Sequence, residues 1–100
     1  MSSVEQHREA LIASFKRLAR QGTERAELEI EEHQDIDVGV FYHRMAKAFN
    51  EAVVKAEDAT SHTDLERVRN WIESEVGRIL GALELMSQAT GPERTIGGRQ

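Results

Sequence analysis

Four histidines and eighteen carboxylates are the groups in this 100-residue chain that could hold a metal or move a proton. A dimetal site in a helical bundle needs a glutamate three residues before a histidine on a core-facing helix, twice over. Val4, Ile30, Val40 and Ala59 occupy those places before His7, His33, His43 and His62. No His-Glu-x-x-His run is present either. The nearest substitute is Glu29 with His33, four apart on one helical face, with Glu32 and His43 as further donors. These four could form a carboxylate–histidine metal site assembled between subunits. The missing pattern weighs against it, and the expectation is solvated surface residues with no metal and no cofactor. The chain has no cysteine, which excludes disulfides and thiolate metal sites. It also lacks a Gly-x-Ser-x-Gly elbow and a glycine-rich phosphate loop, so no catalytic residue is assigned and no enzyme is expected.

His43 sits in the run Phe41-Tyr42-His43-Arg44-Met45-Ala46-Lys47. This resembles the histidine of helical phosphotransfer modules in its setting. It departs from them where they carry a basic residue three positions on and then glycine, because Ala46 and Lys47 stand there. The stronger functional pointer is charge. Glu24, Glu27, Glu29, Glu31, Glu32, Asp35 and Asp37 are seven acids in a stretch whose one base is Arg25. Such a run is ordinarily the wet face of a helix. It could also dock on a basic partner, raising association rate and selectivity. That second use includes mimicry of nucleic acid by a small inhibitor.

The element that positions most of the chain is the stretch 63–88. Thr63 and Glu66 have capping-box spacing, and Asp64 adds a charge that the first turn favours. Leu65, Val68, Ile72, Val76, Ile79, Leu83 and Met86 follow in steps of three and four, which places them on one helical face. A helix over these residues is about 39 Å long. Leu80 and Leu85 widen the stripe, so its second half must be covered on more than one side. Ser74, Gly77 and Gly81 form a separate face of small residues. Each glycine inside a helix costs roughly 1 kcal/mol against alanine, which points to a backbone passing close by. Tight packing within one chain is the plainer reading, and a crossing between two copies the sharper one. Trp71 lies at the edge of the stripe as a core wall or an anchor for a partner.

Upstream, Ser2 or Ser3 can cap a helix with Glu5 or Gln6 in the matching position. Its apolar face is Val4, Leu11, Phe15 and Leu18. The run Gln21-Gly22-Thr23-Glu24 resembles a stop and a restart, yet the apolar phase continues through it. The expectation is a helix kinked near Gly22 and running to about Gln34, or two helices end to end. Residues 27–40 also alternate with period two, as a short β-hairpin would. Glutamate favours helix over strand and the turn has no Asn-Gly pair, so helix is preferred. A further helix over 38–57, capped by Asp35 or Asp37, should form an antiparallel pair with 63–88. The fold expected is all-α: a three-helix antiparallel bundle with a long C-terminal helix over 1–88, and a flexible tail at 89–100.

The net charge of −5 argues against direct binding to nucleic acid or to anionic lipid. No apolar run approaches the ~18 residues of a membrane span, and the N-terminus lacks a secretory pattern, so a cytoplasmic protein is expected. The function expected is protein–protein interaction, as a self-assembling adaptor or structural subunit or as a regulator of a larger protein. Homo-oligomerisation would bury Trp71, Val76, Gly77, Ile79, Leu80, Gly81, Leu83 and Met86.

Overall fold

The structure is a computed structural model that describes residues 3–90, with side chains to residue 85. Three helices follow one another: α1 (Val4–Glu31), α2 (Ile36–Asp58) and α3 (His62–Thr90). No strand occurs among the described residues. The arrangement is the expected all-α, three-helix antiparallel bundle. Of the tail, residues 89 and 90 belong to α3, and 91–100 lie outside the described residues.

Local chemistry sets the helix ends. Ser3 caps α1 through a reciprocal box, accepting from the Gln6 amide at 3.1 Å while the Gln6 side chain accepts from the Ser3 amide at 3.2 Å. Asp35 caps α2, accepting from the Val38 amide at 3.1 Å. The cap of α3 lies two residues before the expected one. Ser61, not Thr63, accepts from the Asp64 amide at 3.0 Å. Asp64 turns back instead to accept from the amide and hydroxyl of Thr60, both at 3.1 Å. Those bonds, the amide of Thr60 first, hold the Asp64 carboxyl below its ordinary pKa.

Between α1 and α2 the chain reverses in four residues. Gln34 takes a left-handed φ of 56°, and the Asp35 amide donates back to the Glu29 carbonyl at 2.8 Å. The alternation over 27–40 is therefore the end of one helix and the start of the next. Each alternating run lies inside one helix, and on α1 Glu29 is buried between the half-buried Leu28 and Ile30.

No break occurs at Gly22, and α1 is one uninterrupted helix. A Cβ at Gly22 would come within 3.2 Å of the Tyr42 carbonyl and 3.3 Å of the Ala46 Cβ. Gly39 is tighter still, since a Cβ there would collide with the Ile30 side chain and sit 3.3 Å from the Ala26 carbonyl. Ala19, Ala26 and Ala46 are buried on the same seam. Small residues let the two backbones approach, and α1 packs chiefly on α2. Gly22 is a packing notch and not a stop signal.

The hydrophobic core lies mainly between α2 and α3. Ala48, Ala52, Val53, Ala56 and Ala59 meet Leu65, Val68, Ile72 and Ile79, with Phe15 and Phe41 at its flanks. The expected pairing of the second and third helices is present, with α2 central. α1 and α3 have the least mutual contact, so they flank α2 without closing over it.

Candidate functional site

The stripe predicted on α3 divides along its length. Leu65, Val68, Ile72 and Ile79 are buried, while Val76 and Leu83 are partly buried against the core. Ile79 is thus a core residue and not part of a free interface. Trp71 is half-buried, with the Lys55 ammonium 4.7 Å from its ring centre, a cation–π contact. Met86 has its side chain outside those described.

The face carrying the glycines has a different fate. A Cβ built at Gly77 or Gly81 meets nothing within 4 Å. Close packing inside the chain, the plainer reading of these glycines, does not occur among the described residues. Leu80 beside them is 47% exposed and Leu85 is 67% exposed. A shallow notch is lined by Gly77, Leu80, Gly81, Leu83 and Glu84. The cause is geometric. Among the described residues α1 packs mainly on α2 through the glycine seam and only sparsely on α3, so it leaves this face of α3 uncovered.

Next to this notch, on the α2 side, a second groove is lined by Arg44, Lys47, Arg78, Glu75, Gly81 and Leu85, among others. Arg78 is ion-paired with Glu75. The rim is of mixed charge, Arg44, Lys47 and Arg78 with Glu51 and Glu75, and it escaped sequence reading because its residues come from two helices. Leu85 was legible in sequence as part of the widened stripe, but its degree of exposure was not.

The acidic run gathers at the α1–α2 turn. Glu24, Glu27, Glu31, Glu32, Asp35 and Asp37 are all exposed there, with Asp35 committed to its cap. Glu29 departs from the group. It is only 7% exposed, bound by Arg25 at 2.9 Å and by His33 Nδ1 at 3.0 Å. The hydrogen bond from His33 holds its carboxyl below the ordinary pKa against the opposing pull of burial, and the Arg25 charge adds to the lowering. Glu29 is a structural acid and unavailable for docking.

The four metal candidates do not converge within one chain. Glu29 and His33 touch, but His43 lines a surface hollow with Thr23, Ala46 and Lys47, well along the helix pair from the turn. His43 is level with Thr23, and at 1.5 Å per residue the ten residues from there to His33 span roughly 15 Å. Among the described residues no group of three histidine, aspartate or glutamate side chains is placed to hold a metal ion. No helix among them is long and apolar enough to cross a membrane. No protein-family model matches this chain, and neither a curated protein nor a solved structure matches it.

Proposed function

We propose that this chain is a small helical protein–protein interaction module that assembles with itself through the distal half of α3. The observation that carries this reading is the open space over Gly77 and Gly81 between the exposed leucines 80 and 85. Two interior glycines weaken a helix by about 1 kcal/mol each. Among the described residues nothing uses the clearance they provide, whereas a second helix crossing there would. A second copy is the favoured occupant because notch and knob lie on the same patch. The Gly77–Gly81 hollow is beside Leu80, and a two-fold contact sets each patch against itself. Such a subunit would serve as a structural or adaptor element, or as a regulator that presents the acidic turn to a larger protein.

The test is size in solution. Light scattering on the intact chain should give a dimer or higher oligomer at micromolar concentration. Leu80→Asp should reduce it to a monomer. Since Leu80 is half-exposed, its charge replacement leaves the core intact, and circular dichroism should report unchanged helix content. A wild-type chain that sizes as a monomer at about 100 µM removes the reading, because specific interfaces hold well below that concentration.

A second reading rests on the six exposed acids around the turn, which offer a negative surface to a basic partner. It includes imitation of nucleic acid and requires no self-association.

A further inference from the structure

α1 and α3 run in the same direction and start together. A hydrogen bond of 2.9 Å joins His7 Nδ1 to His62 Nδ1 across 55 residues of chain. Counting along both helices by that offset sets Leu18 level with Glu73 and Gly22 level with Gly77. Below the second level the two helices border an apolar groove, lined by Leu11, Phe15, Leu18, Phe49, Ile72 and Val76. Phe49 comes from α2 and lies against Phe15 with ring centres 6.2 Å apart, so α2 forms the floor. Above that level α1 seats on α2 through Gly22. The α3 wall continues alone, because Val76, Leu80 and Leu83 follow one another in steps of four and three on one side of the helix. Leu18 on one edge is 36% exposed. Two helices standing apart over a third form a four-helix bundle that lacks one member, and among the described residues no helix fills the place.

The charges on α3 say which helix fits. Arg69 lies seven residues before Val76, and Glu84 lies seven after Gly77. An antiparallel two-fold crossing between Val76 and Gly77 therefore sets Arg69 of each copy against Glu84 of the other, twice by symmetry. Gly77, beside the axis with open space over it, lets the two backbones approach. The same crossing brings Leu80 of each copy level with Leu18 of the other, and Leu83 level with Phe15. The exposed leucines of one copy thus reach the apolar groove of the next. Arg69 is free to turn to the new partner. Its side chain is 54% exposed, and its bonds along its own helix, to Glu73 at 3.4 Å and Glu66 at 3.8 Å, are exposed pairs of little strength. We propose that two copies lie antiparallel, each laying the distal half of its α3 in the α1–α3 groove of the other as the fourth helix, with Arg69–Glu84 pairs fixing the register. This rests on the self-assembly reading above and adds to it the receiving surface on α1 and the direction of the partner helix.

Sedimentation equilibrium on the full chain tests it, and wild type should be a dimer. Leu18→Asp puts a charge in the groove on α1, away from α3, and should weaken dimerisation at least about tenfold. Arg69→Glu and Glu84→Arg each set two like-charged pairs across the contact and should each weaken it about tenfold. Both changes together restore opposite charges and should return the constant to within about threefold of wild type. A dimer that Leu80→Asp breaks and Leu18→Asp leaves intact would overturn this proposal while self-assembly through α3 stands. A double reversal that dimerises no better than either single one overturns it as well. A wild-type monomer removes both readings and leaves the groove to a different occupant. Arg69 and Glu84 are exposed, so circular dichroism should show unchanged helix content in the reversals, and they decide the outcome should Leu18→Asp fail to fold.

Discussion

Glu29 illustrates how one residue in a repetitive run acquires a separate role. Its neighbours Glu27 and Glu31 point to water, while its own carboxylate is shut between Arg25 and His33. The sequence carried part of this, since Arg25, Glu29 and His33 are spaced by four, but helical phase alone does not say which acid faces the partner helix. A lowered folded-state pKa means that the stabilisation is complete above the ordinary carboxylate value near 4.5 and is lost as pH falls through the lower folded value. Glu29→Gln should therefore lower the unfolding midpoint at neutral pH. It should also flatten the acid limb of a midpoint-against-pH curve below about 4.5, leaving the Asp64 contribution in place. Parallel curves for wild type and variant would mean that the Arg25–Glu29–His33 cluster does not govern acid sensitivity.

At the scale of elements, two stripes of small residues look alike in the sequence and behave oppositely. Ala19, Gly22 and Ala26 have spacings of three and four, as do Ser74, Gly77 and Gly81. The first stripe is the seam between α1 and α2, whereas among the described residues nothing lies against the glycines of the second. Spacing reveals that a helix has a smooth side. It does not reveal which helix lies against it, because that depends on contacts between residues distant in sequence. The same limit explains why α3 was legible as a long helix from its apolar steps, while its partial coverage was not. Alanine substitution separates the two stripes by sign. Gly39→Ala, on the partner side of the first seam, must displace Ile30 and should destabilise the chain by about 1–3 kcal/mol. Gly77→Ala with Gly81→Ala fills empty space and improves helix propensity, so it should stabilise the dissociated chain by up to about 2 kcal/mol. If a close crossing forms there, that same pair of changes should weaken assembly. Urea unfolding at low concentration reads the first effect and light scattering the second. Destabilisation of the monomer by the α3 alanines would mean that those positions are packed after all.

For the whole molecule, the distribution of charge distinguishes the two readings of function. α3 runs antiparallel to α2, so its exposed leucines lie toward the same end as the acidic turn that precedes α2. The chain as a whole carries −5, and any two copies repel at long range. Raising salt from about 20 to 200 mM shortens the screening length from roughly 20 to 7 Å, which weakens that repulsion while leaving apolar burial in place. Self-association through α3 should therefore tighten, or at least hold, as salt rises. Binding of a basic partner at the acidic turn should weaken over the same range, since its attraction is what the salt screens. Sedimentation equilibrium at both ionic strengths reads the first case directly. Self-association that falls steeply with salt would place the acidic turn of one copy against the Arg44–Lys47–Arg78 rim of the next. That contact joins unlike surfaces, and it would build a ring or an open chain of copies in place of a closed pair.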